Sequence, residues 1–213
     1  SVGFHRLHSH RSFKTWAPVR QALLYLGCQA AQGSPVTWAL SQLRSHHRYT
    51  DTERDLHSPI HGIFHALGGW IFKKSSYGFA QKELFKVRKT VDKFSMLLHK
   101  NYFKVVYGNA LIFGLLSYPF MGFLGLASTL SASMMAVIIS GYVNWIGHGG
   151  RSIFNYRNYD TNDQSVNNPW LSLFTWGESL HNNHHGNAVN PSFSTNKKEL
   201  DPGIWMINLI RKR

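Results

Sequence analysis

One cysteine, Cys28, is all that 213 residues contain. That excludes a disulfide framework and any zinc or iron–sulfur site built from thiolates. Carboxylates are scarce too: 10 Asp plus Glu stand against 23 Lys plus Arg, for a formal charge of +13. Histidine, at 13, outnumbers the acids. A metal site in such a chain is expected from imidazole, the commonest metal ligand, rather than from carboxylate. The positive balance suits an anionic partner, whether nucleic acid, phospholipid head groups or a phosphorylated substrate.

Charge is missing altogether between Val105 and Gly150, where no Asp, Glu, Lys or Arg occurs. That run is too long for an ordinary core helix and about right for two membrane-spanning helices. SYPFMG at 117–122 brings Pro and Gly near its middle, which predicts a helical hairpin with arms over 104–118 and 124–147. The preceding flanks QKELFKVRKTVDKF and HKNYFK are basic, Arg151 and Arg157 follow, and the bend is uncharged. By the positive-inside rule both ends of the hairpin face the cytoplasm. Much of the net charge is then a juxtamembrane collar facing anionic lipid. With no RNA or DNA motif among the basic residues, nucleic acid is not an expected partner. The expected fold is all-α: an integral-membrane helical hairpin under a cytoplasmic helical cap.

Elsewhere, VRQALLYLGCQAA reads as an amphipathic helix at the membrane surface. A second helix is predicted to start near Pro35, a residue suited to a first turn, and to carry VTWALSQLRSHH. IHGIFHALGGWIF reads as a short interfacial helix and 151–169 as a loop rich in Asn, Asp, Tyr and Arg. LSLFTWGESLHNNHH is helical in pattern, and GIWMINLIRKR gives a last amphipathic helix. The chain opens on SVGFHRLHSH, with neither Met nor a signal peptide, so a fragment is expected.

Histidines gather in HRLHSH at 5–10, SHH at 45–47, NWIGH at 144–148 and HNNHH at 181–185. Each segment falls on the expected cytoplasmic side at a membrane boundary, so distant ligands can converge in one layer. On a helix, His181, His184 and His185 share one face, as do Asn144 and His148. In the first group, spacing pairs His5 with His8; His5 and His10 lie about 140° apart on a straight helix, so His8 and His10 compete. An all-imidazole set suits iron, zinc or copper equally.

Together these segments resemble the membrane fatty-acyl desaturases, in particular the acyl-CoA delta-9, stearoyl-CoA desaturase-like branch. The resemblance rests on GFHRLHSHRSFK, HHRYTDTERDLHSP, the Asn-xxx-His of NWIGH, and GESLHNNHH, in the family's order. FNYRNYDTND, WGESLHNNHH and ELDPGIW are most similar to bacterial members. It implies an oxidoreductase with two iron ions, introducing a cis double bond into a long acyl chain with O2. The implied ligands are His5, His10, His46, His47, His148, His181, His184 and His185, with Asn144 contacting one metal through water; the match prefers His10 to His8. It implies one desaturase domain over 1–213 that lacks the family's first transmembrane hairpin, the hairpin at 104–147 lying within it. No flavin, haem or iron–sulfur motif is visible, so electrons are expected from a separate donor: a ferredoxin, a rubredoxin, or a small haem cytochrome with its reductase. The substrate is expected to be a long-chain acyl-CoA or acyl-lipid, bound near Trp70, with Lys73 and Lys74 at its head group. Trp38, Trp70 and Trp176 are candidate walls of an acyl tunnel. Asp55, Asp160, Asp163 and Glu178 are candidates to hold ligand N–H groups.

The second histidine segment departs from the family's HxxHH. Counting back from His46–His47, the leading ligand falls on Leu43; counting forward from GSPVTW it falls on Gln42, as if one residue were inserted. Leu56 replaces the proline of the usual Asp-Pro-His, and Leu40 and Ser41 stand where acidic and basic residues are expected. The last change weakens an acyl-CoA substrate relative to acyl-lipid or acyl-carrier forms. Two rival readings share the histidines: a related diiron hydroxylase or ketolase, and a non-catalytic membrane metal or haem protein with a degraded second box.

Overall fold

Proline sets the start of four helices, where its missing N–H costs nothing. The computed structural model describes residues 1–87 and 91–212. Arg88, Lys89 and Arg213, parts of the basic segments quoted above, lie outside the described residues. In chain order the helices are α1 (Ala17–Gly27), α2 (Pro35–Leu40), α3 (His47–Tyr49), α4 (Ile63–Ala66), α5 (Lys74–Val87) and α6 (Lys93–Lys100). Then come α7 (Tyr102–Met121), α8 (Phe123–Gly147), α9 (Pro169–Ser172), α10 (His181–Gly186) and α11 (Pro202–Ile210). Two π-helical stretches, Val2–Ser9 and Ser41–His46, precede α1 and join α2 to α3. Among the described residues there is no strand, only isolated bridges at Thr15–Arg211, Tyr156–Asn167 and Asn167–Leu180. The all-α expectation holds.

The hairpin forms as α7 and α8, with the reversal at Gly122 in a positive-φ conformation. Pro119 stays inside α7, so that arm runs to Met121, past the expected end. Gly114 abuts Leu126 and Gly125 abuts Ser117, small residues that let the arms approach closely. Among the described residues, α8 alone is long and apolar enough to cross a bilayer, and only 6% of its most apolar window is buried by protein. Leu116, Phe120, Leu124 and Met134 leave large apolar surfaces uncovered on the two arms. Such a surface is solvated by lipid, and the chain is membrane-associated.

Three stretches differ from expectation. LSLFTWGESLHNNHH is not one helix: α9 stops at Ser172, and α10 begins only at His181. Trp176 and Gly177 between them take φ values of 56° and 85°, which no helix interior accommodates. IHGIFHALGGWIF is split into a 3₁₀ turn, α4 and a second 3₁₀ turn, broken at Gly62 and Gly68. Helices α5 and α6 occupy what reads in sequence as a basic flank, α6 capped by Asp92, whose Oδ1 accepts Ser95 N–H at 3.0 Å.

Two apolar clusters sandwich the first π-helical stretch. Phe4 packs with Leu24, Cys28, Leu98 and Val106; Val2 and Leu7 pack with Phe13 and Ile207. Burying each such side chain contributes about 1.5–3 kcal/mol. Between them the Arg6 guanidinium, wholly buried, donates to both Asp201 oxygens at 2.7 and 2.9 Å and to the carbonyls of Pro191 and Trp176. The N-terminal turn is thereby locked to the C-terminal segment.

On the other side, α8 approaches α4 through Gly141, where an added Cβ would lie 2.4–2.6 Å from the Leu67 backbone. Gly141→Ala is expected to cost about 1–3 kcal/mol by overpacking. Gly108→Ala, whose Cβ would meet nothing within 4 Å, is the control. Thermal midpoints in detergent check this: a drop confined to Gly141→Ala is expected, and equal midpoints contradict the close packing.

Candidate metal centre

Each histidine segment reaches the site by a different local device. In Val2–Ser9 the backbone bonds run i→i−5, as in His10 N–H to His5 O at 3.0 Å. The wider turn carries His5 and His10 onto one side, their ring centroids 4.8 Å apart. His8 points elsewhere, its Nδ1 3.3 Å from an Arg20 nitrogen. The structure thus brings His10, and not His8, together with His5. His46 and His47 sit where the second π-helical stretch passes into α3. His148 follows α8, and His181, His184 and His185 occupy α10. Gly147 lets the His181 ring lie against the end of α8; a Cβ there would meet ring atoms at 2.9–3.0 Å.

Asn182 and Asn183 hold α10 by its other face. Asn182 Oδ1 accepts the N–H groups of Asn158 and Tyr159, both at 2.8 Å. Asn183 Nδ2 donates to Phe193 O at 2.8 Å and Glu199 Oε2 at 3.0 Å. In HNNHH the amides therefore anchor the helix while the imidazoles face the site.

The eight histidines form two groups: His5, His10, His47 and His184; and His46, His148, His181 and His185. Within each group the potential ligand atoms all lie within 4.8 Å of one another. In the second group every Nδ1 faces an acceptor. His46 meets Asp55 at 2.9 Å, His148 meets Asp51 at 3.2 Å, His185 meets Asp163 at 2.6 Å, and His181 meets Glu178 O at 3.3 Å. In the first group His5 Nδ1 meets Glu178 Oε2 at 2.6 Å. Assigning the Nδ1 proton from these acceptors leaves Nε2 as a bare lone pair. His148 Nε2 lies 3.1 Å from His46 Nε2 and 2.9 Å from His181 Nε2. Bare lone pairs that close repel unless a cation stands among them. His5 Nε2, His10 Nε2 and His185 Nε2 are buried with no hydrogen-bond partner.

Ionisation points the same way. Burial, reinforced by neighbouring imidazoles, holds His47, His181 and His184 well below the usual imidazole range and pushes His10 down to about 3. Burial also lowers His185 to about 4 against the opposing pull of Asp163. Burial works to raise Asp55, Asp163 and Glu178, but their histidine partners outweigh it and hold all three below the ordinary carboxylate range. Neutral imidazoles with ionised carboxylates behind them are the form that binds a transition metal. The residues fit two such ions.

Of the four acids expected behind the ligands, Asp55, Asp163 and Glu178 are placed there; Asp160 is exposed and holds no ligand. Sequence reasoning missed Asp51, which holds His148 from a left-handed position four residues after His47. It also missed His57. That buried ring stacks on His46 at 4.5 Å, with Nδ1 3.8 Å from Asp55 Oδ1, and with His46 and Asp55 it forms a third potential ligand group. The only sequence signal for His57 was its place two residues after Asp55. Asn144 uses its Nδ2 on His57 O at 2.7 Å.

A cavity of about 600 Å³ opens onto both groups. Its polar end includes His5, His46, His181, Gln42 and Asn144; its apolar walls include Trp38, Leu40, Leu67, Trp70, Ile71 and Val137. Gln32 Oε1 accepts from Trp38 Nε1 and Ser140 Oγ, each at 3.2 Å, tying that wall to α8. Trp176 does not line it. Half-exposed and strained, Trp176 contributes its carbonyl to Arg6 instead. Lys73 and Lys74 are exposed where the second 3₁₀ turn runs into α5. Across Phe79, which both pockets share, a second hollow of about 360 Å³ is lined by Arg44, Arg48, Arg54, Lys82 and Lys86.

Residues 1–188 match the family model for fatty acid desaturases, and the chain belongs to that family. It is similar to delta-9 acyl-lipid desaturase 1 of Arabidopsis thaliana, 34% identical over 87% of this chain and 58% of the relative. A hex-5-enoyl-[acyl-carrier protein] acetylenase of Moorena producens is 30% identical over 97% of this chain and 68% of the relative. An acyl-CoA C20 delta5-desaturase of Anemone leveillei is 29% identical over 99% and 65%. The chain spans about three-fifths of the length of the Arabidopsis relative.

Removing the Asp163 charge behind His185 by Asp163→Asn is expected to weaken binding of one metal about 10–100-fold. Asp160→Asn is the control that leaves it unchanged. Retention of iron against a graded chelator, read by elemental analysis, checks the pair; equal retention would show that Asp163 does not orient a ligand.

Proposed function

We propose that the protein is an O2-dependent fatty-acyl desaturase that introduces a cis double bond, delta-9-like, into a long acyl chain. The observation that carries this reading is the largely apolar cavity lined by residues of both histidine groups. A long saturated chain fits its walls of Trp38, Leu40, Leu67 and Trp70, and His5, His46 and His181 line the same cavity. His5, His10, His47 and His184 would hold one iron, His46, His148, His181 and His185 the other, with Asn144 reaching one of them through water. Bound there, two irons supply the oxidising power, drawn from O2, that an unactivated methylene demands and side chains lack.

The balance is a loss of two hydrogens from adjacent carbons, while O2, two electrons and two protons become two waters. The protein's share is placement. Trp70 and Ile71 line the path of the chain, and Trp38, held by Gln32, braces the wall beside His5. Asp51, Asp55, Asp163 and Glu178 keep the ligand protons on Nδ1. The two electrons would come from a redox donor such as a ferredoxin, a rubredoxin or a small haem cytochrome with its reductase. Basic flanks on both sides of the hairpin support a cytoplasmic histidine cap.

At the head group we infer an anionic substrate lying toward Lys73 and Lys74, with the basic hollow across Phe79 extending the positive surface. The two lysines do not line the cavity but follow its lining residues Trp70 and Ile71 in sequence. The named relatives act on acyl-lipid, acyl-carrier and acyl-CoA forms, so kinship does not choose among these heads.

Expression of the complete open reading frame in a desaturase-deficient host, with fatty acids profiled by gas chromatography and mass spectrometry, tests the reading. A new monounsaturated acid is expected. A hydroxy acid would move the protein to the oxygen-inserting relatives, and no product with donor supplied would overturn the reading.

A further inference from the structure

Counted forward from GSPVTW, the second histidine segment has one residue more than the HxxHH pattern, and the backbone there has room for one. Through α2 the backbone bonds are α-helical, as in Ser41 N–H to Thr37 O. At the end of the stretch Ser41–His46 they step to i→i−5, His47 N–H donating to Gln42 O. A π-helical step is what one inserted residue makes of an α-helix. It rotates everything upstream by one position relative to His46 and His47. Leu43 is thereby carried outward, 42% exposed, while Gln42 lines the cavity that His46, His5 and His181 also line.

Gln42 is half-buried, and its side-chain amide makes no hydrogen bond among the described residues. A polar amide lining a cavity with walls of Trp38, Leu40 and Trp70, and making no protein hydrogen bond, is free to engage a group held in that cavity. The same cavity is lined by His5 of one histidine group and by His46 and His181 of the other. We propose that Gln42 supplies through Oε1 the ligand position that Leu43 cannot, completing the shell of one of the two metals with an amide oxygen. This rests on the diiron reading above. It also makes the sequence an altered site rather than a damaged one, with one iron held by a harder and weaker donor than imidazole.

The test uses the full-length protein in detergent, loaded with Fe²⁺ and dialysed against graded chelator, with iron counted by elemental analysis and the ferrous site followed by Mössbauer spectroscopy. Wild type is expected to hold two irons, one more loosely. In Gln42→Leu the looser iron should be lost at a chelator concentration about tenfold lower. Gln42→His should tighten that iron and change one of two quadrupole doublets, and Leu43→His should match wild type. The Gln42→His gain guards against a Gln42→Leu variant that merely folds poorly. Two irons in wild type with Gln42→Leu unchanged, or tightening by Leu43→His alone, would overturn the assignment while leaving the diiron reading intact. Less than one iron in wild type would remove both.

Discussion

Eight imidazoles converge in one layer, in two groups whose potential ligand atoms lie within 4.8 Å of one another. Ring nitrogens of three pairs approach to 2.9–3.1 Å, and carboxylates hold Nδ1 of His5, His46, His148 and His185 on the far side of those rings. The carboxylates raise ligand basicity and fix ring orientation, and the rings in turn keep the buried acids ionised. The rest of the structure serves this mutual dependence. The Arg6–Asp201 pair ties the first segment to the C-terminus, and the asparagines of HNNHH tie α10 to its neighbours. α8 runs from the lipid-facing reversal to its end against His181.

Both N-terminal histidine segments rely on π-helical geometry. In the first, it brings together His5 and His10, which an α-helix would separate; in the second, it absorbs an extra residue and selects Gln42 over Leu43. An i→i−5 step costs helix stability and persists where the surroundings enforce it. Here Phe4 and Leu7 are buried in the flanking apolar clusters, and Asp55 holds His46 from outside.

The hairpin was legible because absence of charge over a long run has few other causes, and α10 because i, i+3, i+4 spacing marks one helical face. The convergence of four distant segments followed from topology and from the family resemblance together. The choice between His8 and His10 was not legible from spacing, because α-helical periodicity is the wrong ruler for a π-helical turn. Asp51 and His57 escaped notice because loop residues reach the site by tertiary folding, with no period to betray them. The break after α9 was hidden because Trp176 gives no sign in sequence of adopting a left-handed conformation. Trp176 was expected in the tunnel wall for its bulk, yet only its backbone serves the structure.

That two metals occupy the two histidine groups is most directly tested by X-ray diffraction from iron-loaded crystals, with anomalous maps recorded on either side of the iron edge. Two iron peaks are expected, one among His5, His10, His47 and His184 and the other among His46, His148, His181 and His185. A single peak, or none with iron supplied, would contradict the two-metal site.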